Sequence, residues 1–185
     1  MTTYIILGVA VLLVLYVISI YNALVKNKVL AEEGWSGIDV QLRRRADLIP
    51  NLVETVKGYA SHEDKLFRDI AEARARSIGS GSVADKAAAD NMLTQSLKSL
   101  FAVAENYPEL KADANFRDLQ TQLAALEEEI QLSRRYYNGS ARNLNTMIET
   151  FPSNIIANMF QFRKVEFYEI EDAALRSAPK VSFNA

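Results

Sequence analysis

Apolar residues fill the opening of the chain without a break and then become periodic. From Tyr4 to Val25 the sequence reads YIILGVAVLLVLYVISIYNALV, and no charged side chain occurs before Lys26. About 20 such residues at about 1.5 Å each match the roughly 30 Å hydrocarbon core of a bilayer. A helix satisfies its own backbone hydrogen bonds in lipid. The run therefore predicts a membrane-spanning helix carried by Tyr4, Ile5, Leu12, Leu13, Leu15, Ile20 and Tyr21. The tyrosines sit near its two ends, where amphipathic rings favour the headgroup zone. A buried core helix rarely needs so long a charge-free run. A cleaved signal peptide fits less well. No Lys or Arg precedes the run, and the nearest cleavage-like pattern, Val29-Leu30-Ala31, lies beyond the lysines. Lys26 and Lys28 flank the run on its C-terminal side. The positive-inside rule then places the N-terminus outside a single-pass inner-membrane protein and the remainder in the cytoplasm.

Beyond the anchor the pattern is helical. Phe116, Leu123, Ile130, Tyr137, Leu144 and Phe151 recur every seven residues, with Leu119, Leu126 and Met147 between them and Ser133 and Ser140 interrupting that second row. Such a repeat calls for left-handed, coiled-coil-like packing. Ile38, Leu42, Ile49, Leu52, Val53 and Val56 form a similar stripe, as do Leu93, Leu97, Leu100 and Ala104. Breakers are few. Between Tyr4 and Ile78 only Gly34, Gly37, Gly58 and Pro50 interrupt a helix, and the stripe keeps its phase across Pro50, so a kink is expected there. A helix continuous from membrane into bundle is plausible, with Gly34 and Gly37 as its weak points. Gly79-Ser80-Gly81-Ser82 reads as a flexible connection whose Ser82 caps a second helix, from about 83 to 106. A third runs from about 112 to 150 and stops before Pro152, and a shorter aromatic-rich segment spans about 155 to 174. The predicted fold is all-α: an N-terminal transmembrane helix followed by an elongated antiparallel up-down bundle of three long helices plus a short C-terminal helix. The organisation is an anchor over 1–25, a bundle over 26–178 and a tail over 179–185.

Composition removes several chemistries. The 185 residues carry a formal net charge of -2, so no strong field recruits nucleic acid or anionic lipid. The absence of cysteine removes disulfides, thiol nucleophiles and thiolate metal sites. His62 is the one histidine, and beside Glu63 and Asp64 it makes a poor transition-metal site. No nucleophile elbow accompanies it, and no Gly-Lys-Ser/Thr follows the glycine-serine run to make a phosphate loop. No catalytic, cofactor-binding or metal residue is assigned. Asp39 and Arg43 are four apart, as are Arg43 and Asp47, a spacing that pairs charges on one helix face. Arg43, Arg44 and Arg45 point to three faces. They suit either an anionic partner or, as the preferred reading, ion pairs with a facing helix such as 127–129. Trp35 marks either the membrane-proximal end of the bundle or its core. Tyr136, Tyr137, Asn138, Asn143 and Asn145 form a polar-aromatic belt. Phe160 and Phe162 belong to an apolar terminus expected to pack back on the bundle.

Two stretches are distinctive: Trp35 to Ala60 (WSGIDVQLRRRADLIPNLVETVKGYA), closing on His62-Glu63, and Tyr136-Tyr137-Asn138 through to Phe151-Pro152-Ser153-Asn154-Ile155-Ile156-Ala157. With Tyr21-Asn22-Ala23-Leu24-Val25 and Ala104 to Ala112 (AENYPELKA), the chain resembles the LemA family over nearly its whole length, in order and at matching spacing. The resemblance implies a bacterial single-pass membrane protein with a helical-bundle domain. It brings no established reaction, and some members are associated with magnetosome membranes. One departure is Gly34 before Trp35, where the family usually has a helix-favouring residue.

These features lead to the expectation of a non-enzymatic, membrane-anchored scaffold that self-associates, with the lipid bilayer and further copies of itself as partners. The alternative is a monomeric adaptor or sensory accessory that binds one dedicated protein. The interaction candidates are Trp35, Asp39, Arg43, Arg44, Arg45, Asp47, Tyr137, Asn138, Phe160 and Phe162. An enzyme is the least favoured class, because carboxylates, Lys and Tyr would have to act with one histidine and no cysteine.

Overall fold

The computed structural model of the chain describes residues 1–79 and 81–169. Among the described residues are α1 (Thr2–Lys57), α2 (Asp64–Gly79), α3 (Val83–Ala104), α4 (Pro108–Ala112), α5 (Ala114–Glu149) and α6 (Ser153–Met159), with no strand. The chain is all-α.

At about 1.5 Å per residue, the 56 residues of α1 extend about 84 Å. Its two halves have different surroundings. Residues 1–19 are exposed on every face, and this apolar half is long enough to cross a membrane. From Leu24 onward the helix is core. Leu24, Ala31, Ile38 and Leu52 lie on one seven-residue row and Leu42, Ile49 and Val56 on the next, all buried. The buried row of α5 (Phe116, Leu123, Ile130, Tyr137 and Leu144) packs antiparallel along them. Phe151, the last member of that row, falls beyond the end of α5 and is 75% exposed. Here the heptad outruns the helix.

Three apolar clusters divide the bundle along its length. Leu24, Ala31, Leu144, Ile148, Ile156 and Ala157 close the end nearest the exposed half of α1. Ile38, Leu42, Ile130, Tyr137 and Tyr168 occupy the middle. The far end joins α1 to the α2–α3 hairpin through residues such as Ile49, Leu52, Ile70, Leu93 and Leu100, with Phe116 of α5.

The boundaries correct three expectations. The first helix does not reach Ile78. It ends at Lys57, Gly58 caps it through its N–H to Glu54 O, and the chain turns over residues 58–63 before α2. The break thus falls at Gly58, and α1 runs uninterrupted through Pro50. The third helix starts later than expected. Asp113 caps α5, its Oδ1 accepting from Phe116 N at 2.9 Å, and Pro108–Ala112 is a separate turn. The aromatic segment after α6 is extended from Phe162 to Glu169 and not helical. Its expected continuation over 170–174 and the 179–185 tail lie outside the described residues. The Ser82 cap is present, with Ser82 Oγ accepting from Asp85 N at 3.0 Å.

Candidate functional site

Three charged side chains occupy core-facing phases of three different helices. Arg45 falls on the α1 row of Ile38 and Leu52, Asp90 lies one turn before Leu93 on α3, and Arg134 stands between Ile130 and Tyr137 on α5. They meet inside the bundle. Asp90, fully buried, accepts hydrogen bonds from Arg45 Nη2 and Arg134 Nη2. It also accepts one from Tyr168 Oη at 2.8 Å. Arg45 Nη1 donates to Glu127 Oε2 at 3.0 Å and to Thr94 Oγ1 at 3.2 Å. Burial pushes the Arg45 pKa down, and the Glu127 carboxylate acts against that. Two guanidiniums face two carboxylates, so the cluster is formally neutral, the condition under which buried charge is tolerated.

The extended segment is built onto this cluster through its backbone. Asn145 donates from Nδ2 to Val165 O at 2.9 Å and accepts at Oδ1 from Val165 N at 2.9 Å. Asn138 does the same for Tyr168, at 3.1 and 2.8 Å. The two asparagines are seven residues apart on α5, about 10.5 Å along its axis. Val165 and Tyr168 are three apart in extended chain, about 10 Å. The helical and extended repeats coincide, so one α5 face grips both peptides. Between the clamps, Tyr137 Oη donates to Glu166 O at 2.6 Å. The strap runs antiparallel to α5 and places the Tyr168 ring against Trp35, with centroids 6.4 Å apart. Arg134 lies over the same ring at 5.1 Å. Burial pushes the Tyr168 phenol up, against the pull of Arg134 and Arg45, and burial with Glu166 pushes up Tyr137.

The predicted interaction residues separate into distinct groups. Trp35, half-buried, packs against the middle core beside Tyr137, ring centroids 5.7 Å apart. Asp39 pairs with Arg43 at 2.8 Å and with Lys86 of α3, whose Nζ also lies 5.7 Å from the Trp35 ring. Burial raises the Asp39 pKa, yet Lys86 and Arg43 outweigh it and hold the carboxyl below its ordinary value. Arg43 pairs toward Asp39, while Asp47 stands 4.0 Å from Arg74 of α2. Arg44 is exposed. The arginine run thus reaches three separate environments, and Arg45 finds Glu127 on the facing helix as the preferred reading held. Phe160 and Phe162 lie against Tyr21, at 4.7 and 6.0 Å between centroids, with Phe160 still 51% exposed. Asn138 is a clamp, and so is Asn145, whereas Asn143 is exposed.

Alongside the cluster, α3 and α5 flank an open groove of about 790 Å³. Met92, Phe101, Leu123 and Ala124 line its walls, and Arg45 and Arg134 its base. Among the described residues no group of three or more His, Asp or Glu side chains is placed to hold a metal. His62 is exposed at the turn between α1 and α2. Asp90, Arg134, Lys86 and Arg74 escaped the sequence reading. A charge in phase with an apolar stripe was the available signal for Asp90 and Arg134.

Residues 34–183 match the family model described as LemA family. The magnetosome protein MamQ of Magnetospirillum gryphiswaldense is 25% identical over 179 residues, covering 83% of this chain and 66% of that protein. MamQ 2 of Paramagnetospirillum magneticum is 24% identical over the same shares. Protein LemA of Metamycoplasma hominis is 25% identical over 167 residues, covering 84% of this chain and 75% of that protein. The chain thus spans just under two thirds of the length of the magnetosome relatives.

Proposed function

The chain belongs to the LemA family, and on that premise we propose that it is a membrane-anchored, non-enzymatic scaffold whose bundles associate with one another at a bacterial membrane. The observation that carries this reading is α1 itself. One uninterrupted helix is apolar and unpartnered over its first 19 residues and forms the bundle's central core over the rest. Anchor and bundle are one rod, so the open α3–α5 groove is held at a set height above the bilayer. Tethered copies share that height, and tethering raises their effective concentration, so little energy per contact is needed to associate them. The polar interior supports the same reading, because Arg45, Asp90, Arg134 and Tyr168 bond to one another and pin the strap. Blue-native electrophoresis and negative-stain microscopy of the detergent-extracted protein test the proposal. Discrete multiples are expected, and strictly monomeric particles at every concentration would sink it.

The groove favours one second reading, a monomeric adaptor that seats a single dedicated partner there. Because the chain lacks cysteine, single cysteines placed at Lys98 and Gln120 on the groove rim discriminate the two in cells. A ladder of self-multiples supports the scaffold, and one heterologous band supports the adaptor. The bundle is assigned to the cytoplasm from Lys26 and Lys28. Protease protection with a tag at each end tests that orientation.

A further inference from the structure

The corner where α5 turns into α6 exposes more apolar surface than a short surface helix requires. Phe151, Ile155, Met159 and Phe160 are 75%, 53%, 68% and 51% exposed, while the opposite side of α6, Ile156 and Ala157, is buried against the bundle. The outward face of α6 carries Ile155 and Met159 with Asn158 beside them, and an exposed apolar patch of this kind marks a contact surface. Its place along α1 identifies what it touches. Asn27 Nδ2 meets Met147 Sδ at 3.2 Å, which sets Met147 level with Asn27. α5 runs antiparallel to α1, so four residues on, about 6 Å toward the exposed half of α1, the corner arrives level with Tyr21 and Leu24. Phe160 packs on Tyr21 there. The run from Tyr4 to Ile20 left beyond that level is 17 residues, about 26 Å, close to the full hydrocarbon thickness.

Charge follows the same level. No charged residue occurs between Thr150 and Phe162, as none occurs before Lys26. Both charge-free stretches end in two exposed cations, Arg163 and Lys164 in one and Lys26 and Lys28 in the other, of which Lys164 pairs with Glu149 and Lys28 with Glu32. Two apolar segments far apart in sequence thus stop at one height, each bordered by basic residues on its bundle side. This is the profile of an interfacial segment, apolar toward the acyl chains and basic toward the headgroups.

We propose that the exposed face of the α5–α6 corner, Phe151, Ile155, Met159 and Phe160, seats in the headgroup–acyl boundary of the same bilayer that α1 crosses. The corner is then a second membrane contact that fixes the tilt of the rod. The inference rests on α1 being the anchor, and its test separates the two. Single cysteines are placed at Ile155, Met159, Leu12 and Ser99 of the cysteine-free full chain and labelled with an environment-sensitive fluorophore. The protein is reconstituted in phosphatidylcholine–phosphatidylglycerol vesicles with nitroxide groups on the acyl chains, near the headgroup in one preparation and near the chain end in another, the second of which reads Leu12. Quenching at Ile155 and Met159 several-fold above that at Ser99, with blue-shifted emission, is the expected result. Quenching at Leu12 but only the Ser99 level at Ile155 and Met159 overturns the corner contact and leaves the anchor standing. A blue shift at Ile155 without nitroxide quenching also overturns it, because protein then covers the face. No quenching at Leu12 removes the anchor and the corner contact together.

Discussion

Arg74 of α2 donates from Nε to the carbonyl oxygen of Ala46 at 2.7 Å. That acceptor lies four residues before Pro50, whose missing N–H leaves it without a helical partner. The side chain of a second helix thus takes the place of the lost backbone donor, and α1 continues through a residue that ordinarily ends or kinks a helix. Arg74→Met keeps much of the stem and removes the donor, leaving a carbonyl orphaned on a fully buried residue. A loss of about 1–3 kcal/mol is expected, read from urea unfolding of the solubilised protein. An unchanged midpoint would show that water serves the carbonyl equally well.

Two glycines three residues apart on α1 are predicted to respond with opposite sign. A Cβ on Gly34 would stand 3.0 Å from Tyr137 Cα and 3.0 Å from Tyr136 Cδ1. Gly34→Ala therefore forces α1 and α5 apart and is expected to destabilise by about 1–3 kcal/mol. A Cβ on Gly37 meets nothing within 4 Å. Gly37→Ala gains helix propensity without a clash and is expected to stabilise by about 0.5–1 kcal/mol. The order of the two melting temperatures around the parent's checks both.

Asp90→Asn leaves two buried guanidiniums facing only the half-buried Glu127. The expected loss is about 3–5 kcal/mol, the usual consequence of removing one member of a buried ion cluster. The triple change Arg45→Met, Asp90→Leu, Arg134→Met removes every one of those buried charges and is expected to recover most of that stability. Denaturant midpoints of the two variants side by side decide it, and a triple variant weaker than Asp90→Asn contradicts the argument.

The asparagine clamps hold backbone, so their removal is expected to free the strap without melting the helices. Asn138→Ala and Asn145→Ala each delete two hydrogen bonds worth about 0.5–1.5 kcal/mol apiece. Amide hydrogen exchange at Tyr168 in the first variant and Val165 in the second is expected to rise roughly 5- to 150-fold, by the same energies. Amides in the middle of α1 and α5 keep their protection. Equal acceleration everywhere would mean that the strap and bundle open as one unit.

Alkali is predicted to release the same strap. The Tyr168 phenol, raised by burial above its ordinary value of 10.0, stays protonated in the folded protein after the unfolded chain has begun to ionise. The folded state then holds the extra proton, so its stability is fully present below pH 10.0 and falls as the pH climbs toward the folded value. Tyrosinate absorbance followed together with Val165 exchange measures this, and Tyr168→Phe is expected to remove that part of the pH dependence. Release at unchanged pH in Tyr168→Phe would assign it elsewhere.

Long periodic segments were the most legible part of the molecule. The seven-residue rows of α1 and α5 are read directly from residues such as Ile38, Ile49, Ile130 and Leu144, because burial imposes one period on both helices. What escaped depends on partners distant in sequence. Gly34 reads as a weak point until Tyr137 is brought against it, when it becomes a site of close helix approach. Arg74, which takes the place of the donor missing at Pro50, lies on another helix and leaves no local signal. The 162–169 segment reads as the end of a helix because no Gly or Pro interrupts it. Tyr137, Asn138 and Asn145, twenty to thirty residues earlier, supply the bonds that make an extended path favourable. Asp90 and Arg134 were within reach, since each interrupts an apolar stripe in phase.

A bundle built around an unjointed mast cannot swivel independently of the mast's base. From Ile20 to Arg45 is 25 residues, about 38 Å of unbroken helix, and the boundary between the bare half and the packed half falls inside it. Torque on the bare end is therefore delivered to the arginine–aspartate knot and to the mouth between α3 and α5. The compass heading of that mouth is decided where the mast is planted, and neighbouring copies planted alike all look the same way.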